Sequence, residues 1–183
     1  MLQMGRKYKN SSRKKYQSCI NTGAVKKHIT GIACINVANY NFEIKQEVVE
    51  ALKSNAQYKG NEMCGVLTGS QITDNCFRIS KISPPCIMQH SHCGCKRDAL
   101  MANKFIEEDY EKSEHTRFYI GEWHTHPEKQ PKPSFVDYSS IEENYHTALL
   151  VVPFLFMIIV GTQTFHISVY DGNKFVEIEP KVV

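Results

Sequence analysis

The stretch GEWHTHPEKQPKPSFVD, residues 121–137, decides how this 183-residue chain is read. It opens inside RFYIGEWHTH, residues 117–126, whose aromatic and β-branched content predicts a strand. Side chains alternate between faces along a strand, so His124 and His126 share one side while Trp123 and Thr125 take the other. A loop stiffened by Pro127, Pro131 and Pro133 follows. Ser134 then stands where a helix N-cap belongs, and Asp137, three residues on, falls on the same face one turn into that helix. Two imidazoles and one carboxylate are thereby offered to a common point, the three-ligand set that zinc uses when its fourth position is left to water.

A metal with an open position needs a group that moves protons. Glu62 opens EMCGVLTG, residues 62–69, at the start of an apolar strand whose Gly65 and Gly69 permit close backbone approach. A charged residue in that setting needs a reason. Zinc lowers the pKa of its water to about 7, so a neighbouring carboxylate can take that proton and later pass it to a leaving amine. Ser134 is placed to donate a hydrogen bond to the oxyanion that forms.

Around this core of residues, periodicity predicts the other elements. ITGIACINV, residues 29–37, reads as the first strand, with a turn at 38–41, and IKQEVVEALKSNA as a helix with Ile44, Val48, Val49 and Leu52 on one stripe. EMCGVLTGS and CFRISKIS read as a hairpin. A loop with Pro84, Pro85 and HSHCGC, residues 90–95, leads to a second helix, DALMANKFIEEDYEKS, whose inward side is taken as Leu100, Met101, Phe105, Ile106 and Tyr110. A third helix begins at Ser134, and PFLFMIIVG, TFHISVYD and NKFVEIE close the chain as strands. Strands outnumber helices and helices fall between strands, so the class is α+β, or mixed α/β, around one central sheet.

Composition bounds the rest. The chain is 42% hydrophobic and 22% charged, which excludes collagen, coiled coil and wholesale disorder. The apolar run at 148–160 is broken by Pro153 and falls short of the roughly 20 residues of a spanning helix, so it is core. Without a membrane segment or a secretory pattern behind the basic N-terminus, a cytoplasmic protein is expected. Residues 1–42 hold eight Lys/Arg and no acid, leaving fourteen Lys/Arg against nineteen Asp/Glu. Residues 1–28 are therefore read as a basic, flexible arm and residues 29–183 as the domain. No nucleic-acid motif accompanies the charge. Seven cysteines, an odd number in a chain able to build a core, argue for thiols or metal ligands over a disulfide framework.

The polar residues resemble the JAMM (MPN-plus, JAB) metallopeptidase family, whose pattern is a glutamate, then His-x-His, seven residues, Ser, two residues, Asp. Glu62, His124, His126, Ser134 and Asp137 match it, and Glu62 sits in a strand like the family's E-x-x-G-x-L-x-G. The resemblance covers residues 42–179 and implies the family's fold, a curved mixed sheet flanked by helices of cytidine-deaminase-like architecture. It implies one catalytic Zn2+ held by His124, His126 and Asp137, with Glu62 and Ser134 as catalytic groups. The implied reaction is hydrolysis of the bond joining a ubiquitin-like protein, or another conjugated protein, to its target. GEWHTHP followed by P-x-P-S-x-x-D looks like the prokaryotic branch, whose members often lie beside E1-like and E2-like proteins in anti-phage operons. The 46 residues after Asp137 hold no cysteine, so the second zinc insert of some eukaryotic members is not expected. One alternative is a peptidase trimming a ubiquitin-like or carrier-protein precursor. Another is a nucleic-acid-associated protein like the RadC branch, although Thr125 stands where that branch has Asn.

Several further residues invite a role. His90, His92, Cys93 and Cys95, with Cys76 and Cys86, are metal-capable, but H-x-H-C-x-C matches no common structural zinc site; incidental loop residues are the plainer reading beside a second metal or a redox-sensitive or substrate-shaping loop. Cys64 reads as a small buried hydrophobe. Trp123 reads as wall or core, and Glu122, on the histidine side, as a partner for an imidazole.

Overall fold

The computed structural model describes residues 36–183. The expected arm and almost all of the strand expected over 29–37 lie outside them. Val37, the last residue of that strand, instead opens a short 3-10 turn, Val37–Asn39, capped by the Asn36 side chain. Ten strands and three α-helices follow among the described residues. They are β1 (Asn41–Ile44), α1 (Gln46–Ser54), β2 (Cys64–Thr73), β3 (Cys76–Ile82), β4 (Ile87–Ser91), β5 (Gly94–Arg97), α2 (Ala99–Lys112), β6 (Phe118–Thr125), α3 (Phe135–Thr147), β7 (Leu155–Val160), β8 (Phe165–Tyr170), β9 (Phe175–Glu177) and β10 (Lys181–Val182).

Eight strands form one sheet in the order β10-β1-β3-β2-β6-β7-β8-β9, while β4 and β5 pair as a separate ribbon. The sheet is mixed and curled: β6 and β7 run parallel, as do β1 with β3 and with β10. A parallel pair needs a crossover, and α3 supplies it between β6 and β7. This is the α+β class expected. Strand β7, LFMIIV, is buried at every position, which is why its sequence is a continuous apolar run without polar alternation. Phe42, Phe77, Phe154 and Phe156 meet edge to face beside it, with ring centroids 4.9 to 5.5 Å apart.

Three expectations are corrected. Ile44 belongs to β1 and not to the first helix, which starts at Gln46; the strand captures it because residues 41–44 pair in parallel with 76–79. In α2 the inward face is Ala102, Ile106 and Asp109, and Leu100 and Met101 are exposed. A buried carboxylate turns the helix, since Asp109 binds Arg117, Lys81 and Thr68. Finally, residues 87–97, expected as loop, form the β4–β5 ribbon.

The sheet explains one glycine. Gly65 pairs with Trp123, and a Cβ there would strike the indole and the Ser83 hydroxyl. Because Trp123 is fully buried and cannot retreat, Gly65→Ala is expected to cost about 1–3 kcal/mol by overpacking, measured as a lower urea midpoint at unchanged slope.

Candidate functional site

The site lies at the end of β6, where its neighbours hold it on both sides. Thr125 N–H donates to Met63 O (2.9 Å) and His126 N–H to Val160 O (3.0 Å), so the histidine strand runs on between the Glu62 segment and the end of β7. His124 faces Cys64 across the β2–β6 ladder. Between the histidines, Thr125 points to the opposite face, fully buried; its Oγ1 accepts from Met63 N–H (2.9 Å) and donates to Gln57 Oε1 (3.3 Å).

Asp137 is delivered by the start of α3. Ser134 is the N-cap and forms a capping box with Asp137. The Asp137 N–H donates to Ser134 Oγ (3.2 Å), and the Ser134 N–H donates to Asp137 Oδ2 (2.6 Å). This exchange fixes the carboxylate with Oδ1 toward His124 and Oδ2, which also accepts from Ser134, toward His126. His124 Nε2 lies 3.1 Å from Asp137 Oδ1, and His126 Nε2 lies 3.6 Å from Oδ2.

His124, His126 and Asp137 are the group among the described residues able to hold a metal ion, each offering one ligand atom with all three atoms within 4.8 Å of one another. Their chemistry fits a cation. His124 Nε2 is buried without an aligned hydrogen bond despite its nearness to Asp137, the arrangement of atoms aimed at a shared point and not at each other. Burial, reinforced by His124, lowers the His126 pKa below its ordinary value, leaving a neutral imidazole with a free lone pair. Burial would raise the Asp137 pKa, but His124 and the Ser134 bonds outweigh it and hold the carboxyl ionised well below the usual range.

Glu62 is buried, and its backbone is pinned by β4: its N–H donates to Ser91 O (2.8 Å), and His90 Nδ1 lies 3.1 Å from its carbonyl. Burial pushes the Glu62 pKa up to about 7, against the pull of His124, while Asp137 adds to the rise. A carboxyl poised at that value beside the three-residue group suits proton transfer near neutrality.

The other readings resolve differently. Trp123 is core. Glu122 serves no imidazole; it binds Arg97 of β5 (2.8 Å) and the Tyr119 hydroxyl (2.9 Å), because the ribbon brings a cation within reach. Cys64 is buried as expected but is neither a free thiol nor a metal ligand: it forms a disulfide with Cys95, the ribbon bringing their Cα atoms to 6.0 Å. His90 and His92 point their Nδ1 atoms at the carbonyls of Glu62 and Gly60, so these residues of HSHCGC help fasten the ribbon to residues 60–62. Sequence reasoning passed over Gln57, which is buried and whose Nε2 donates to Gly60 O and His92 O. Its one signal was a polar residue just beyond an amphipathic helix.

A curled mixed sheet carrying His-x-His on an inner strand and Asp on the following helix defines a JAB-type domain. The profile described as prokaryotic homologs of the JAB domain matches residues 45–172, and the chain belongs to that family. It is 29% identical over 143 residues to a CD-NTase/cGAS isopeptidase of Escherichia coli (strain TW11681), covering 76% of this chain and 88% of that protein. A CD-NTase/cGAS isopeptidase of Vibrio cholerae serotype O1 is 30% identical over 104 residues, covering 57% of this chain and 64% of that one. In fold it resembles the solution structure of protein DSY2949 from Desulfitobacterium hafniense, with a TM-score of 0.53 and 17% identity over 78% of this chain and 92% of that one. No helix among the described residues is long and apolar enough to cross a membrane.

Proposed function

We propose that the chain is a bacterial zinc-dependent isopeptidase of anti-phage defence, acting in the cytoplasm. Its substrate is an amide joining the C-terminus of a ubiquitin-like or CD-NTase/cGAS-type protein to a target lysine, made by E1-like and E2-like partners. Residues 29–183 form the catalytic domain and residues 1–28 its arm. The observation that carries this reading is the convergence of His124, His126 and Asp137 beside a buried carboxyl, Glu62, pushed up to about 7.

His124, His126 and Asp137 would hold the zinc. The chemistry a zinc ion bound there would supply is Lewis acidity and a water acidified toward neutrality. Glu62 takes a proton from the attacking water and returns it to the departing lysine amine. Ser134 Oγ already accepts from Asp137 N–H, which leaves its own proton to donate to the oxyanion. The relatives' names support the isopeptide bond over a linear precursor.

The test incubates pure protein with lysine-linked conjugates of both kinds and with the corresponding linear precursors extended beyond the C-terminus. Expected are cleavage abolished by chelator and restored by zinc, product masses showing a regenerated C-terminus and a free lysine, and about one zinc per chain. His124→Ala and Asp137→Ala lose the metal. Cleavage only of linear precursors moves the assignment to a processing peptidase; no chelator-sensitive cleavage of either kind overturns it.

A further inference from the structure

The β4–β5 ribbon holds the Glu62 peptide from both sides, through Ser91 O and His90 Nδ1. His92 Nδ1 holds Gly60 O at 2.9 Å in the same manner. A carbonyl only accepts, so both Nδ1 atoms carry the proton and donate. Yet residues 88–93 are exposed, and a two-stranded ribbon is marginal by itself in water. Two ties fasten it to the sheet: the Arg97–Glu122 ion pair at its base and the Cys64–Cys95 disulfide.

The position of that disulfide is informative. Cys95 is the register partner of His90, the residue that holds the Glu62 carbonyl. Cys64 lies two residues beyond Glu62, so it shares Glu62's face if the chain runs extended there. The link therefore closes a small ring: Glu62 to Cys64, across the sulfurs to Cys95, across the ribbon to His90, and back to Glu62.

We propose that this ring is a redox-set clamp on the proton carrier. With the disulfide made, β4–β5 fixes the Glu62 backbone and aims its carboxyl; with it broken, the ribbon loosens and the aim is lost. His90 and Cys95 are positioning residues. The inference rests on the isopeptidase reading for its effect on turnover, though not for the mechanical coupling. Opening requires two electrons from a thiol reductant: one thiolate attacks a sulfur, releasing the other cysteine as a thiol, and a second thiol resolves the mixed disulfide, leaving the reductant oxidised as its own disulfide. Closure is the reverse exchange with an oxidised disulfide of the same class.

The experiment uses the zinc-loaded full chain with and without a phosphine, which becomes phosphine oxide as it reduces the bond. Peptide mapping is expected to find Cys64 linked to Cys95 before treatment and free after it. Reduction then speeds amide exchange at Glu62 and across residues 87–97, with zinc retained. It lowers kcat on a lysine-linked conjugate about tenfold, with KM changed by less than about twofold. Cys95→Ser shows the lower kcat with or without phosphine, while Cys93→Ser, which removes the exposed thiol at the ribbon turn, follows wild type. Free Cys64 and Cys95 in protein isolated without reductant overturn the proposal. So do unchanged exchange or kcat on reduction, or release of zinc. Should exchange respond while no conjugate is cut under any condition, the clamp stands and the isopeptidase reading fails.

Discussion

Glu62→Gln is expected to keep its metal and lose turnover by about three orders of magnitude. Glutamine fills the same buried space without a site for the proton, and the ribbon holds residue 62 through backbone groups that the substitution spares. Metal content equal to wild type beside a collapsed kcat separates proton transfer from metal binding; wild-type kcat removes Glu62 from the reaction. The metal-free protein supplies an independent check. The folded carboxyl titrates near 7 against an ordinary 4.5 because burial disfavours its charge. Between those values the folded state holds a proton that the unfolded chain has released, so this group's contribution to stability declines as pH rises from 4.5 to 7. Without metal, Glu62→Gln is therefore the more stable protein at pH 8, by about 3 kcal/mol, with the advantage vanishing by pH 4. A cation at the site favours the carboxylate, so the acid limb of kcat/KM in the zinc enzyme falls below 7.

The candidate site was legible because its geometry is local. His-x-His uses the period of a strand, and Ser-x-x-Asp uses one helical turn together with a capping box, so the residues that converge on either side of the proline loop announce themselves by spacing. The hairpin of β2 and β3 and the buried β7 were legible on the same grounds. What escaped was set by distant pairing. Ile44 fits a helical stripe as well as a strand, and only the parallel register with residues 76–79 decides. The ribbon escaped because HSHCGC has neither alternation nor an apolar face; its strands owe their place to carbonyls, Glu122 and Cys64, all remote in sequence. Counting cysteines failed for the same reason, since a disulfide depends on where a ribbon folds back.

Asp109 shows how far such remote partners reach, and its replacement is expected to be the most damaging change outside the site. It is 1% exposed and accepts from Arg117 Nε (2.8 Å), Arg117 Nη2 (2.7 Å), Lys81 Nζ (3.2 Å) and Thr68 Oγ1 (2.6 Å). One carboxylate thus joins α2 to β2, to β3 and to the residue preceding β6. Burial alone would raise its pKa, but Arg117, Thr68 and Lys81 bring it down to about 2. Asp109→Ala strands the guanidinium and the buried threonine hydroxyl, and is expected to cost about 3–5 kcal/mol, or about 10 °C in Tm for a domain of this size. Asp109→Asn keeps the shape without the charge and separates packing from ionic attraction. Since the folded pKa is depressed from 3.8, the ionic part is present above pH 4 and lost as pH falls toward 2. The gap in Tm between wild type and Asp109→Asn should therefore be constant from pH 5 to 8 and close on acidification. A gap indifferent to pH would mean that this buried carboxylate contributes shape alone. The helix it anchors begins one residue after the ribbon ends, at the Asp98 cap. Hydrogen exchange at Glu62 is accordingly expected to quicken in Asp109→Ala well below its melting temperature, with slower turnover and unchanged zinc content.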